Sequence, residues 1–162
     1  MLKTAIILAG GFGSRLKSVV NDVPKPMALV KHKPFLHYQF QYLKHFGIQH
    51  VILSVGYLHQ KVEAFFGTSY LGLTIEYALE NQPLGTGGGI RLAIDLCKDE
   101  ELLVLNGDSF FDINLSQFYN QHQQHQSQCS LALRKSTNAS RFGTIETNAQ
   151  HQIISFKEKT CQ

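Results

Sequence analysis

The sequence predicts a three-layer α/β fold around a mainly parallel sheet, and three observations lead to this prediction. Short apolar runs without alternation recur along the chain, as expected of strands that are covered on both faces. Amphipathic helical segments separate these runs, in the alternating order that right-handed crossovers between parallel strands produce. The chain has 162 residues, which is enough for one domain with a substantial core, so we expect a single domain over residues 1–162.

The chain begins with a predicted strand, a glycine-rich loop and a helix. Thr4–Leu8 is a short apolar run that predicts a buried strand, and a loop over residues 10–15 follows it directly. Two prolines in residues 18–27 prevent a regular helix there. A helix is predicted to begin at Pro34 and to stop at Gly47, because four apolar residues between them have helical spacing. These residues are Leu36, Phe40, Leu43 and Phe46.

Strands and helices continue to alternate in the middle of the chain. Residues 51–55 predict a second buried strand, and residues 58–66 predict a helix that ends at a glycine. Leu73–Leu79 alternates as a strand, and residues 87–97 are predicted to be helical after a glycine-rich entry. The apolar run at residues 102–105 predicts another buried strand, so the carboxyl ends of several strands are expected to share one crevice.

The last part of the chain is richer in predicted strands. Residues 115–122 are predicted to be helical, and Asp112 is interpreted as the cap of that helix. Residues 130–134, residues 143–147 and Ile153–Lys157 have the composition of strands joined by turns.

Composition excludes several classes of function. The net charge of +3 is weak and dispersed, which argues against a nucleic-acid partner. The chain has three cysteines, Cys97, Cys129 and Cys161, which are far apart in the sequence. A disulfide framework or a zinc site is therefore not expected, and we expect a cytoplasmic location. The apolar run at residues 5–9 is too short for a signal peptide or a membrane span, so no membrane partner is expected.

The stretch LAGGFGSRL, residues 8–16, differs from both common phosphate-binding loops. A dinucleotide-binding loop would need a last glycine that is absent here and an acidic residue after the second strand, and the GxxxxGK pattern of a P-loop is missing as well. What remains is a loop of small residues whose backbone N–H groups can bind phosphate, with Arg15 adding a bidentate charge. The alternative is a tight turn with a surface arginine.

Lys25 and Asp108 are candidates for phosphate and metal binding. Lys25 lies between two prolines in VPKPM, and a lysine held in this way loses less entropy when it meets a phosphate. Asp108 ends the tripeptide NGD after a buried strand, where a carboxylate is a natural Mg²⁺ ligand. The alternatives are an exposed loop lysine and an aspartate that forms a turn.

Two further motifs offer groups for a base and a sugar. Glu80 begins ENQPLGTGGGI, and its carboxylate suits the two adjacent donors of guanine, N1–H and the 2-amino group. Glu158 and Lys159, in FKEK, can bind sugar hydroxyls and a sugar phosphate. The alternatives are a glycine-rich helix entry with an exposed glutamate, and a solvated charged strand end.

The order of these motifs resembles the sugar nucleotidyltransferases, or nucleoside-diphosphate-sugar pyrophosphorylases, over nearly the whole chain. The motifs are GGFGSRL, PKPM, ENQPLGTGGGI, NGD, FG and FKEK. The sequence is most similar to guanylyltransferases for heptose or mannose phosphates, and above all to those of D-glycero-D-manno-heptose 1-phosphate. The resemblance implies a Rossmann-like α/β/α sandwich with a mixed sheet, of the nucleotide-diphospho-sugar transferase type. It also implies a reaction of a sugar 1-phosphate with GTP that yields pyrophosphate and a GDP-sugar for surface polysaccharides, such as lipopolysaccharide or capsule.

The resemblance also implies a role for each matching residue. Arg15 would hold the departing pyrophosphate, Lys25 would neutralise the reacting phosphates, and Asp108 would bind Mg²⁺. The triphosphate would lie against Leu8, Ala9, Gly10, Gly11, Gly13 and Ser14. The base would lie against Glu80, Pro83, Gly85, Thr86 and Gly87. The sugar phosphate would meet Asn106, Gly143, Glu158 and Lys159.

The end of the chain departs from this family pattern. Family members continue past the EK motif into another strand and a second metal-binding aspartate, whereas this chain ends at Gln162. We therefore expect either a chain that lacks its C-terminal segment, or a homo-oligomer or a partner that covers the exposed sheet edge. The alternatives are a nucleotide-binding domain without turnover, and the same reaction with UTP, CTP or dTTP.

Overall fold

The computed structural model describes residues 2–11, 23–135 and 143–157. The chain divides into two compact units, Met1–His125 and Gln126–Gln162. Predicted positions Gly13, Ser14, Arg15, Glu158 and Lys159 lie outside the described residues.

The first unit contains a five-stranded sheet with helices between the strands. In chain order its elements are β1 (Thr4–Leu8), a 3-10 helix (Lys25–Met27), β2 (Leu29–Val30), β3 (Lys33–Pro34), α1 (Phe35–His45), β4 (His50–Val55), α2 (His59–Phe66), β5 (Ser69–Tyr70), β6 (Leu73–Leu79), α3 (Gly85–Ile94), β7 (Leu102–Asn106) and α4 (Leu115–Gln124). The sheet has the order β5-β6-β4-β1-β7, and only β5 among these five strands is antiparallel to its neighbour. The predicted mixed, mainly parallel sheet is therefore confirmed.

The core lies on both faces of this sheet, which produces the three layers. Ala5 and Ile7 of β1 pack with α1, α2 and α4 in one buried cluster. Ile6, between them in the sequence, faces a second cluster that contains Ala93 of α3. Neighbouring residues of a strand point to opposite faces, so β1 carries apolar side chains at every position after Thr4. This explains why its sequence is a continuous apolar run.

Helix α3 has different bounds from the sequence prediction, and helix α4 has a different capping residue. Helix α3 covers Gly85–Ile94 rather than residues 87–97, so the glycine-rich stretch is the first part of the helix and not a loop before it. At α4 the side chain of Asn114, not Asp112, accepts the backbone N–H of Gln117 at 3.0 Å. The capping prediction for Asp112 was wrong because an Asn two residues later has the extended backbone that a cap requires.

The second unit contains one antiparallel hairpin, formed by β8 (Thr144–Thr147) and β9 (Ile153–Lys157). The strand predicted at residues 130–134 is wrong, since this segment has no regular secondary structure. Strand-forming composition produces a strand only where another segment pairs with it, and no described residue pairs with this one. Within the described part of the chain, every helix is too short or too polar to cross a lipid bilayer.

Candidate functional site

Backbone hydrogen bonds join the carboxyl ends of the parallel strands. The N–H of Ala9, just after β1, donates to the Ser54 carbonyl of β4 at 2.7 Å. On the other side, the N–H of Gly107 donates to the Leu8 carbonyl at 2.8 Å. The residues that follow these strands are therefore held at one edge of the sheet, where ligands bind in open α/β sheets.

A cavity of about 320 Å³ lies at this edge and is called here the Asp108 cavity. Segments far apart in the sequence contribute to it: the end of β1, the 3-10 helix, the loop before α3, the start of α3 and the end of β7. Its lining consists of Leu8, Ala9, Gly10, Gly11, Lys25, Pro26, Glu80, Pro83, Gly85, Thr86, Asn106 and Asp108. All but Pro26 were sequence candidates, so one space brings together groups that were singled out from separate motifs.

Lys25 and Asp108 form an ion pair across this cavity, with 3.5 Å between Nζ and Oδ2. The side chains remain 26% and 52% exposed, respectively, which leaves both accessible to a ligand. Pro26 and Met27 are buried directly after the lysine, so the 3-10 helix fixes the backbone from which the Lys25 side chain extends. The pair combines a cation for phosphate with a carboxylate for a metal ion.

Gln39 holds the loop that carries Asp108, although the sequence analysis did not select it. This α1 side chain is 1% exposed, and its Nε2 donates to the carbonyls of Asn106 at 2.8 Å and Ser109 at 3.0 Å. The two carbonyls lie on either side of Asp108 in the sequence. Its position was the available signal, because Gln39 is a polar residue in the apolar stripe between Leu36 and Leu43.

Replacing Gln39 with methionine is expected to lower the free energy of unfolding by about 1–3 kcal/mol, since the main-chain carbonyls of Asn106 and Ser109 both lose this donor. Methionine keeps a similar side-chain volume, so packing changes little. Urea unfolding monitored by circular dichroism measures the difference. Gln41→Met is the control on the same helix, because Gln41 is exposed. Equal stability of the two variants would contradict the anchoring role of Gln39.

Glu80 lies where the Asp108 cavity meets a second space. Its backbone N–H donates to the Val55 carbonyl at 2.7 Å, which ties the end of β6 to the end of β4. The second space, called here the Tyr57 cavity, measures about 400 Å³. It is lined by Gly10, Gly56, Tyr57, Leu58, His59, Gln60, Leu79, Glu80, Asn81, Gln82 and Pro83. Gly10, Glu80 and Pro83 line both cavities.

Most residues of the Tyr57 cavity were missed by the sequence analysis. The available signal was their place, because residues 56–60 follow β4 and the others lie at the end of β6, and the carboxyl ends of parallel strands are expected at the ligand edge. Leu58 at the start of α2 has a φ of 60°, which is uncommon for a leucine. A backbone outlier of this kind beside a cavity is consistent with a shaped binding surface.

Two other predicted site residues are described by the structure, one in each unit. Gly87 is in the first turn of α3 and lines neither space. Gly143 is an exposed residue of the second unit, directly before β8. Within residues 2–11, 23–135 and 143–157, no cluster of three or more His, Cys, Asp or Glu side chains forms a ready metal site.

Comparison with known proteins gives consistent matches. The family described as nucleotidyl transferase matches residues 4–160. A D-glycero-alpha-D-manno-heptose 1-phosphate guanylyltransferase from Aneurinibacillus thermoaerophilus is 45% identical over 155 residues, which are 96% of this chain and 67% of that protein. A mannose-1-phosphate guanylyltransferase from Mycobacterium tuberculosis is 36% identical over 157 residues, which are 96% of this chain and 44% of that protein.

A solved structure shares the fold. It is described as HddC from Yersinia pseudotuberculosis complexed with GMP-PN, and it matches with a TM-score of 0.77 and 29% sequence identity. The match covers 99% of this chain and 71% of that chain. The α/β fold class predicted from the sequence is therefore confirmed. The chain spans 67% of the length of the Aneurinibacillus thermoaerophilus relative.

Proposed function

This chain belongs to the nucleotidyl transferase family, and from that premise we propose that it joins GTP to a heptose- or mannose-type sugar 1-phosphate. The products are a GDP-sugar and pyrophosphate, and the reaction would supply precursors of surface polysaccharides. The observation that carries the proposal is the Asp108 cavity, which combines a small-residue loop, Lys25, Asp108 and Glu80 in one space. The activities of the heptose and mannose relatives support the choice of GTP and of the sugar.

In the proposed reaction, an oxygen of the sugar 1-phosphate attacks the α-phosphorus of GTP. A new P–O bond forms there, and the bond from the α-phosphorus to the oxygen that bridges it to the β-phosphorus breaks. The electron pair leaves with pyrophosphate. The attacking phosphate is already ionised, so no general base is required. Positioning and charge neutralisation are therefore the main tasks of the protein.

Lys25 suits the neutralising role. Its Nζ lies 3.5 Å from Asp108, at the surface of the cavity where phosphates would collect. Gly10, Gly11 and the first turn of α3 line the same cavity with small residues, so phosphate oxygens can approach backbone N–H groups closely. Arg15, which the sequence predicts to hold the departing pyrophosphate, would add a second cation.

Mg²⁺ is the metal that we propose for this site, and the described residues fit it. Asp108 presents a half-exposed carboxylate to the cavity, and Mg²⁺ in nucleotide enzymes needs one or two carboxylates together with phosphate oxygens and water. Asp108 would hold the ion, which would neutralise phosphate charge. Lys25 would then turn from Asp108 to the nucleotide.

We also propose that the protein is a single nucleotidyltransferase domain in the cytoplasm and that it forms a homo-oligomer or binds a partner chain. The family match runs through both units, from residue 4 to residue 160, which supports one nucleotidyltransferase domain. Cys97 and Cys129 are free thiols, as is usual in the cytoplasm. Exposed apolar side chains on β9, among them Ile154 and Phe156, support a homo-oligomer or a partner chain.

Pyrophosphate release tests the proposal. The protein is mixed with Mg²⁺, one of GTP, UTP, CTP or dTTP, and a panel of sugar 1-phosphates, and a coupled assay measures pyrophosphate. We expect GTP with a heptose or mannose 1-phosphate to give the highest rate. Faster turnover of UTP, CTP or dTTP would contradict the assignment of the base.

A second candidate is a nucleotide-binding domain without turnover, because the groups that line the Asp108 cavity can bind a nucleotide whether or not a transfer reaction follows. Calorimetry that detects GTP binding, together with no pyrophosphate from any sugar phosphate, would favour this candidate.

A further inference from the structure

We propose that the buried hydroxyl of Ser54 sets the base preference of the site by fixing the carboxylate of Glu80. This inference rests on the proposed function, in which Glu80 binds the base. Ser54 is in β4 and is 0% exposed, and its Oγ donates a hydrogen bond to Glu80 Oε1 at 2.6 Å. Ser54 lines neither cavity, so it is a positioning residue that acts on the ligand through Glu80.

Both oxygens of the Glu80 carboxylate are held from within the protein. Oε1 accepts from Ser54, and Oε2 accepts from the backbone N–H of Leu84 at 3.2 Å. Each carboxylate oxygen can accept two hydrogen bonds, so each keeps a lone pair for a ligand. A side chain fixed at both oxygens loses little further freedom when a ligand binds.

Two glycines, Gly10 and Gly89, leave room for the carboxylate of Glu80. A Cβ atom at Gly89 would lie 2.9 Å from Ser54 Oγ, which is too close, and 3.0 Å from Glu80 Oε1, where the carboxylate would have to move slightly. A Cβ atom at Gly10 would overlap Glu80 Oε1 as well. Gly89 lies inside α3, where glycine weakens a helix. The carboxylate position thus accounts for a glycine that the helix itself disfavours.

The chemistry of a fixed carboxylate selects one class of base. Two acceptor oxygens side by side match two adjacent donors, and guanine offers these as N1–H and its 2-amino group. Hypoxanthine, the base of ITP, has N1–H but lacks the amino group. One oxygen of the Glu80 carboxylate would therefore receive no hydrogen bond from ITP. If Ser54 is removed, the carboxylate can turn, and the advantage of GTP over ITP should shrink.

Competition binding measures this advantage directly. A fluorescent GTP analogue is bound to the protein and displaced by GTP or by ITP, and the ratio of the two Kd values is compared between variants. We expect the wild-type protein to favour GTP by about tenfold or more, as for a hydrogen bond to a charged group, and Ser54→Ala to reduce the preference to about two- to threefold. The ratio does not depend on the folded fraction, so a loss of stability alone leaves it unchanged.

Thr4→Val is the matched control. Thr4 is a buried hydroxyl at the opposite end of the parallel strands, where its Oγ1 donates to Asp99. We expect this variant to keep the wild-type ratio. Gly89→Ala is the second test variant, because it retains Ser54 but forces the hydroxyl and the carboxylate to move. It should reduce the ratio in the same direction as Ser54→Ala.

The outcomes separate this inference from the proposed function. A wild-type protein that binds GTP and ITP equally, or ratios within about twofold of wild type in Ser54→Ala and Gly89→Ala, would overturn the role of Ser54. A reduced ratio in a protein that releases no pyrophosphate would support Ser54 and overturn the transfer reaction.

Discussion

Replacing Lys25 with methionine is expected to lower kcat by about 10²–10³-fold, as for other pre-organised groups that stabilise developing charge. Methionine retains the apolar stem but removes the cation beside the phosphates. The KM for GTP should change less than kcat, because several other groups of the Asp108 cavity would still bind the nucleotide. Steady-state pyrophosphate release with GTP and the preferred sugar 1-phosphate measures both constants.

Lys33→Met is the control for this experiment, since Lys33 is an exposed lysine of the neighbouring hairpin. Both variants should fold. The Lys25–Asp108 pair is partly exposed and spans 3.5 Å, so it contributes at most about 1 kcal/mol to stability. A loss of less than tenfold in Lys25→Met would remove this residue from the catalytic groups.

Replacing Asp108 with asparagine is expected to change the affinity for GTP in opposite directions with and without Mg²⁺. Without the ion, the variant should bind GTP more tightly than the wild type, because a carboxylate no longer repels the triphosphate. With saturating Mg²⁺, it should bind more weakly and turn over about 10²–10³-fold more slowly, since a ligand of the ion is lost. Calorimetry with and without Mg²⁺ measures the binding, and pyrophosphate release measures the turnover.

Asp112→Asn provides the control, because Asp112 is exposed and makes no cap for α4. It removes the same charge four residues from Asp108. We expect wild-type binding and turnover from it under both conditions. If Asp108→Asn showed the same Mg²⁺ dependence as wild type, Asp108 would not be a ligand of the ion.

The parallel strands were predictable from two patterns, because β1 and β4 are buried on both faces and β6 alternates between apolar and more polar residues. Thr4–Leu8 and Leu73–Leu79 have the predicted bounds in the structure. In contrast, β2, β3 and β5 have two residues each, which is too few for a hydrophobic period to be visible. The strand expected at residues 130–134 was wrong, since pairing is a property of two segments and not of one.

The candidate site was predictable where motifs follow strands. Gly10, Lys25, Glu80 and Asp108 were selected from separate motifs, and the topology of the sheet explains why they meet. Their roles remain predictions that the experiments above address.

Supporting residues were harder to find. Gln39 lies in the apolar stripe of α1 and Ser54 in the apolar run of β4, and both act by hydrogen bonds to groups distant in the chain. A polar residue at such a position indicates a buried partner but does not identify it, which is why the sequence indicated the groups at the cavity but not those that hold them.

Main-chain hydrogen bonds join the strand ends beside the Asp108 cavity, from Ala9 to Ser54 and from Gly107 to Leu8. Main-chain groups do not change when one apolar side chain is exchanged for another, but they shift when a residue is inserted or deleted. The segments directly after β1 and β7 should therefore tolerate substitution and resist changes in length. In a mutational library selected for function, indels should be depleted there far more strongly than conservative exchanges at Leu8.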